Sequence, residues 1–581
     1  MSEEFYEGDE NYDGAYYNEE DFYEGDEFYG DENYENEIYD DEMTNEPSVE
    51  FEVTYEEDPR QIQLLTMVQT FKAFIFDSIA DFNIVNSTIE IELPRSILPL
   101  SLQCVYGFLV DDILFKVHLE LNSYRWDILP KRIQITHPFY GEIFVGKALM
   151  AQAANDFFSV GYKPRNYYRC SKFILCSSTQ ADRKLMRQLM EKEHLSEQQA
   201  QRALSLCKND YRKAAQLMRT GEIPPGIGDN VSPQQFASYS QNPLLYLIIE
   251  LCECLFDLQD HCCLCRKRIS RGLKPAACNN DLCKFQFSTI GIGVSVVSEL
   301  KRDPRAADLL ISIFSAAFDT QFCTPAPDDF TTQEIRTILN SLPPCQEMAT
   351  FQTDQALASL ISLRGLQLVR WILLSCRSHL ISLPPEMEIP MFKGSQQFMT
   401  LVSSPEAEGA FQSLKETYKG SIFLFHGSHA ERWHSIIRNG LKNATGTKLQ
   451  ANGSALGDGI YFAKESGTSW GYSHSKNNLY KSSIIGKSLH IISLCEIANL
   501  PMNQNIKVKY PVFNEDGSVT YKESAGFLKD HGWAHTLTIE EACIVRFLFV
   551  GGNFNVNALT KPPKNVPSLK SVLDYQMRKY L

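Results

Sequence analysis

Residues Phe423–Ser473 read FLFHGSHAERWHSIIRNGLKNATGTKLQANGSALGDGIYFAKESGTSWGYS. Phe423–Phe425 is a short apolar run, and it predicts a strand that ends on His426-Gly427-Ser428. Trp433–Ile437 has helical spacing and stops at Asn439-Gly440, a pair that closes helices. A polar loop follows. Gly459-Ile460-Tyr461-Phe462-Ala463 then predicts a second strand. Taken singly, a histidine at a strand end or a tyrosine within a strand is usually a core residue. The information lies in their joint order and spacing.

That order resembles the catalytic fold of the poly(ADP-ribose) polymerases. The shared segments are HGS at His426–Ser428, IIRNGL at Ile436–Leu441, GIYFA at Gly459–Ala463 and SxxY at Ser469–Tyr472. The resemblance implies NAD as the substrate, with breakage of the bond between nicotinamide and ribose. It implies that His426 hydrogen-bonds the adenosine ribose and that the backbone of Gly427 pairs with the nicotinamide carboxamide. Only a residue without a side chain permits that approach. Ser469 adds a hydroxyl to the same carboxamide, Tyr461 and Tyr472 sandwich the ring, and Ser428 and Ala463 line the cofactor site. Stacking of this kind contributes about 0.5–1.5 kcal/mol per aromatic pair beyond burial. Such contacts position and strain a substrate without supplying a strong base.

Polymer-forming members of this family carry a glutamate at the third catalytic position, at the start of a C-terminal strand. Here that strand is Ala542–Val550, and the alignment sets Phe547 at the position, so the triad reads His426, Tyr461, Phe547. Its neighbours Arg546 and Leu548 are not carboxylates either. The resemblance therefore implies transfer of single ADP-ribose units to protein side chains, the protein's own included. An inactive relative that only binds NAD or ADP-ribose is the alternative, which the intact His426 and Tyr461 disfavour.

Upstream, His261–Cys283 reads HCCLCRKRISRGLKPAACNNDLC. Cys262, Cys265, Cys278 and Cys283 give C-x2-C-x12-C-x4-C, a spacing that suits a closed, structural zinc site of four thiolates. Cys263 or His261 could replace one ligand, and Lys267, Arg268, Arg271 and Lys274 would offset the charge. Together with KFQFSTIG (Lys284–Gly291) and RWILLSCRSHLISLP (Arg370–Pro384), these cysteines resemble a mono-transferring branch of the family with a Cys-rich insert. Pro243–Phe256 and Val297–Phe318 predict flanking helices.

Nearer the N-terminus, Gln61–Asp81 predicts an amphipathic helix. Thr88–Leu93, Ser101–Val110, Ile113–Leu121 and Arg132–Thr136 predict strands. His137-Pro138 and a helical stretch through Asn155 follow. This order resembles the ubiquitin-conjugating fold. A catalytic member has Asn after His-Pro and a Cys about ten residues on, whereas here Phe139 follows Pro138 and no Cys occurs before Cys170. The usual thioester route is thereby excluded. Ala181–Thr220 resembles a three-helix ubiquitin-associated module without its Gly-aromatic loop, and Ile223-Pro224-Pro225-Gly226 ends it. Ubiquitin or its pathway proteins are the partners these resemblances imply, and a ubiquitin-pathway adaptor is the second alternative function.

Residues 1–58 hold 25 Asp and Glu and no Lys or Arg. The formal net charge of −17 thus hides a body with 47 acidic against 55 basic residues. Such a tail reads as disordered, serving interaction and modification or solubility alone. The body's modest charge is spread out and implies no specific nucleic-acid binding. The 15-residue apolar run Asn242–Phe256 contains Glu250 and Glu253 and reads as a buried helix, not a membrane span. No N-terminal signal pattern is visible, so the 16 cysteines are expected as reduced thiols or metal ligands inside the cell, in the cytoplasm more than the nucleus. The whole reads as an α+β multidomain chain: tail 1–58, ubiquitin-conjugating-like domain 60–178, helical module 180–226, helical zinc-bearing region 232–400, catalytic domain 405–560 and extension 561–581.

Overall fold

The computed structural model describes, apart from isolated positions, residues 58–75, 81–99, 113–138, 144–175, 181–220, 232–290, 295–447, 455–514, 518–551 and 562–578. The acidic tail, most of Ser101–Val110, Phe139 and the Ile223–Gly226 turn lie outside the described residues.

The first unit begins with helix α1 (Pro59–Phe74), capped by the Asp58 side chain. Four antiparallel strands follow in simple sequence order: β1 (Asp81–Val85), β2 (Thr88–Pro94), β3 (Ile113–Glu120) and β4 (Arg132–Thr136). In β2 the alternating Ile89, Ile91 and Leu93 point to the core and Glu90 to solvent, as period-two strands require. Helix α2 (Lys147–Phe157) buries Leu149, Met150, Ala153, Ala154 and Phe157. Three short helices come next, α3 (Arg183–Glu193), α4 (Glu197–Leu206) and α5 (Tyr211–Thr220), around a small core of their own. Ser196 and Gln199 form a capping box that starts α4.

Helix α6 (Pro243–Asp257) is buried along almost its whole length. Its acidic residues are held by two arginines from the preceding unit. Arg165 lies 3.2 Å from Glu250 and 2.8 Å from Asp257, and Arg169 lies 2.7 Å from Glu253 and 3.2 Å from Asp260. The expected helix over Val297–Phe318 is in fact two, α7 (Val296–Arg302) and α8 (Pro304–Ala317). Pro304 lacks the N–H a continuing helix would use, and Asp303 caps the new start through Ala306 N at 2.9 Å. Helices α9 (Thr332–Ser341) and α10 (Asp354–Leu374) complete this layer. Among the described residues α10 alone is long and apolar enough to cross a membrane. Half of its apolar window is buried inside the fold, and its backbone breaks at Ser362.

The C-terminal part is an eight-stranded antiparallel sheet. Its members in chain order are β5 (His379–Ser382), β6 (Gln396–Val402), β7 (Ser421–Gly427), β8 (Ile460–Ala463), β9 (Ile491–Ala498), then β12 (Leu528–Asp530), β13 (Ala534–Leu537) and β14 (Cys543–Val550). Across the sheet they run β12-β13-β8-β7-β9-β14-β6-β5. Strands β10 (Ile506–Phe513) and β11 (Val519–Gly526) form a separate hairpin. Helices α11 (Pro405–Thr417), α12 (Trp433–Asn439) and the short α13 (Ser466–Gly471) pack against the sheet. The sheet begins upstream of the boundary read at 405, because Gln396–Val550 and Phe547–Met399 pair β6 directly with β14. Every residue of β9 and β14 is buried, which fits strands covered on both faces. The extension forms helix α14 (Leu569–Arg578), which returns Val572 to the face formed by Phe425, Leu494 and Phe549.

Under the sheet, Arg546 meets two carboxylates. It bonds Glu408 through both terminal nitrogens at 3.0 and 2.6 Å, and Glu496 through Nε at 2.6 Å. All three side chains are at least nine-tenths buried.

Candidate active site

Strands β7 and β8 share a single residue pair, Phe425 with Ala463, so the sheet opens beyond it. A cavity of about 290 Å³ lies there. His426, Gly427, Ser428, Tyr461, Ala463, Ser469 and Tyr472 all line it. Residues from two strands and a helix, up to 46 positions apart, thus converge on one cleft.

His426 spans the opening. Its Nδ1 donates to the carbonyl of Tyr461 at 2.9 Å. That bond fixes the tautomer with the proton on Nδ1 and leaves Nε2 as an acceptor. Burial holds the imidazole below its ordinary value of 6.5, so the ring is neutral at neutral pH. Gly427 touches helix α13. A Cβ on it would stand 1.8 Å from the Ser469 carbonyl oxygen, so no other residue fits. Ser469 is buried, whereas the Tyr472 side chain stands out, 46% exposed. The Tyr461 hydroxyl donates to Gly457 O at 2.5 Å and accepts from Leu456 N at 3.1 Å. It thereby ties the approach loop to the strand.

Phe547 does not join them, which corrects the expected triad. It is paired with Leu494, which faces Phe425, whereas His426 is paired with Ser493. Successive residues of a strand point to opposite faces. The Phe547 side chain therefore packs with Phe425, Leu494 and Phe549, is 1% exposed, and does not line the cavity. Among the described residues no carboxylate lines it either.

Phe322, Arg432 and Trp533 also line the cavity and were not picked out from the sequence. The Arg432 guanidinium lies 4.7 Å over the Phe322 ring, and its Nε is buried without a hydrogen-bond partner. The cleft therefore presents a hydrogen-bond acceptor, exposed backbone, two tyrosine rings and two cations, Arg432 and Lys442. That set suits a flat amide-bearing ring joined to a polyanionic tail.

The cysteine cluster lies elsewhere. The Sγ atoms of Cys262, Cys265, Cys278 and Cys283 are all within 4.8 Å of one another, and Cys265 and Cys278 are 3.7 Å apart. Tetrahedral zinc with bonds of about 2.3 Å places its sulfurs about 3.8 Å apart. Burial would push the Cys262 thiol up, but N–H groups of Cys265, Cys278 and Leu264 outweigh it and hold it down. Cys263 and His261 stand outside this group. Cys263 is buried, and His261 bonds Asp260 at 2.8 Å. Lys274 is paired with Glu299 at 3.0 Å and so does not offset thiolate charge, whereas Arg271 bonds only the neutral Gln259, at 3.1 Å, and keeps its charge.

Comparison with known proteins gives two domain matches. Residues 398–532 match the poly(ADP-ribose) polymerase catalytic domain, and residues 298–373 match the ARTD15 N-terminal domain. The protein mono-ADP-ribosyltransferase PARP8 of Mus musculus and that of Homo sapiens are each 31% identical to the chain over 241 residues. The match takes in 37% of this chain and 28% of each relative's length. The matched segment supplies the strands bearing His426 and Tyr461, and in that segment the chain is similar to the poly(ADP-ribose) polymerase catalytic domain.

Proposed function

We propose that this protein is an NAD-dependent mono-ADP-ribosyltransferase that modifies protein side chains, its own included. The observation that carries this is the convergence of His426, Gly427, Tyr461, Ser469 and Tyr472 on the opening between β7 and β8. The Gly427 backbone and Ser469 hydroxyl hold the carboxamide, and Tyr461 and Tyr472 flank the ring. Neutral His426 accepts from an adenosine-ribose hydroxyl through Nε2. So fixed, the ribose carbon loses nicotinamide as it gains oxocarbenium character, and an acceptor side chain bonds to it from the other face. Elongation would need a base on the ribose hydroxyl of the first unit. With no carboxylate on the cavity wall among the described residues and Phe547 turned away, nothing there supplies that base.

Incubation of the full chain with labelled NAD tests this. Discrete bands gaining one ADP-ribose mass per site are expected. A polymer ladder would refute single transfer, and absence of labelling would favour the binding-only alternative. The proton balance of His426 gives a second expectation. NAD affinity by calorimetry should hold as pH falls past 6.5, then drop below it once protonation of Nε2 removes the acceptor. A decline starting above 6.5 would contradict a buried neutral His426.

We read the four thiolates as a structural zinc site, since a closed set leaves no position for substrate. Metal analysis of chelator-free protein should give about one zinc per chain. Cys278→Ser should lower that content and loosen residues 244–320, because binding energy at such a site is folding energy. Protein without zinc would reduce the cluster to buried thiols.

The unit from α1 to α2 is read as related to the ubiquitin-conjugating fold without its chemistry. The first cysteine after His137 is Cys170, which is fully buried against α6 with its thiol pushed well up by burial. The α3–α5 module is read as ubiquitin-associated-like, and the protein as intracellular, in the cytoplasm more than the nucleus.

A further inference from the structure

Arg432 ends the short turn Ala430–Arg432 between β7 and α12, and it lines the cleft with His426. Burial first, and then the Arg432 charge, lower the His426 and His429 imidazoles, so the guanidinium stands near both rings. Phe322 lies 4.7 Å beneath the guanidinium carbon and covers one of its flat faces. A planar cation held over a ring keeps its N–H groups at the edge, where they can still donate.

Among the described residues this side chain makes no hydrogen bond and no ion pair. Nε is sealed and unpartnered, whereas Nη1 and Nη2 keep accessible surface. The neighbouring acid does not serve it, because Glu431 faces Lys476 at 3.5 Å. The other cation of the cleft, Lys442, is by contrast paired with Glu540 at 2.8 Å. Burial pulls the Arg432 guanidinium below its ordinary value, with Glu431 the smaller, opposing influence. A partly buried cation without an anion costs stability. Costs of this kind are commonly kept where function uses them.

NAD brings the missing anion. Its negative charge is concentrated on the diphosphate, and phosphate oxygens match a planar guanidinium. The adenosine ribose bonds His426 in the reading above, and the diphosphate is joined directly to that ribose. We infer that Arg432 is the anchor for the diphosphate of NAD, donating to its oxygens through Nη1 and Nη2. The inference rests on the reading of this cleft as the NAD site.

Calorimetric titration of the full chain with NAD, ADP-ribose and nicotinamide tests it, in wild type, Arg432→Gln and Arg432→Lys. Affinity for NAD and for ADP-ribose should fall about tenfold or more in Arg432→Gln, as for a lost hydrogen bond to a charged group. Arg432→Lys keeps the charge and should lose less. Nicotinamide has no phosphate and should bind all three proteins alike. Arg432→Gln removes an unpaired cation and no internal bond, so it should unfold at or above the wild-type temperature. Unchanged NAD affinity in Arg432→Gln would overturn the proposal and leave the NAD reading standing. So would a lower melting temperature with an equal loss of nicotinamide binding, the mark of a merely structural role. A wild-type chain that binds neither NAD nor ADP-ribose would overturn the reading and the proposal together.

Discussion

Gly427→Ala is expected to abolish ADP-ribose transfer, with NAD binding lost as well. The added Cβ would meet backbone and not a pliable side chain: 1.8 Å to the Ser469 carbonyl oxygen and 2.7 Å to its carbon. Relief requires α13 to move off β7. That helix carries Ser469, and Tyr472 follows it directly, so both depart from the ring they are meant to hold. A displacement of about 1 Å at a positioning site commonly costs a hundred-fold in rate. Gly471→Ala is the control within the same helix, because its added Cβ has nothing within 4 Å. Labelled-NAD turnover should fall at least about a hundred-fold in the first variant and stay near wild type in the second. Equal activity in the two would remove Gly427 from the site.

Arg546→Met is the second large effect, this time on stability. Arg546 offsets Glu408 and Glu496, both less than a tenth exposed. Burial would push the Glu496 carboxyl up, but Arg546, Lys415 and Ser421 hold it below its ordinary value. Removing the arginine leaves two carboxylates close together with only Lys415, 2.5 Å from Glu496, as counter-charge. Breaking a buried pair in this way costs about 3–5 kcal/mol. For a unit of this size that lowers the melting temperature by roughly 10 °C. Adding Glu408→Gln to Arg546→Met should recover part of the loss. The sign with pH follows from Glu496: in wild type its contribution is present above 4.5 and is lost as pH falls through the depressed folded value. An Arg546→Met protein that melts like wild type would show the network to be idle.

The strands and helices with clear periodicity were legible from sequence. Arg132–Thr136 and the start of α12 at Trp433 fall where the pattern put them. So did the cleft residues tied to short motifs, because local glycines and strand ends dictate where backbone is exposed. The break at Asp303-Pro304 was written in plain sequence and was hidden only by apolar residues continuing on both sides. Phe547 was harder. The register of β14 against β9 shifts at Leu494, and a bulge of one residue decides which face a side chain takes. Phe322 reaches the cleft from more than 100 residues upstream of His426, and no local signal marks such a residue.

The pairing of Arg165 and Arg169 with the acids of α6 makes the first unit part of what holds the middle of the protein together. A module gained by simple fusion meets its neighbour through a polar, replaceable surface. Here the first unit supplies the counter-ions for a helix sunk in the middle of the protein. Without those arginines Glu250, Glu253 and Asp257 would be buried carboxylates short of counter-ions, and breaking a buried pair in this way costs about 3–5 kcal/mol. The first unit therefore acts as internal scaffolding for helix α6, a duty that rests on Arg165 and Arg169 whatever else the unit binds.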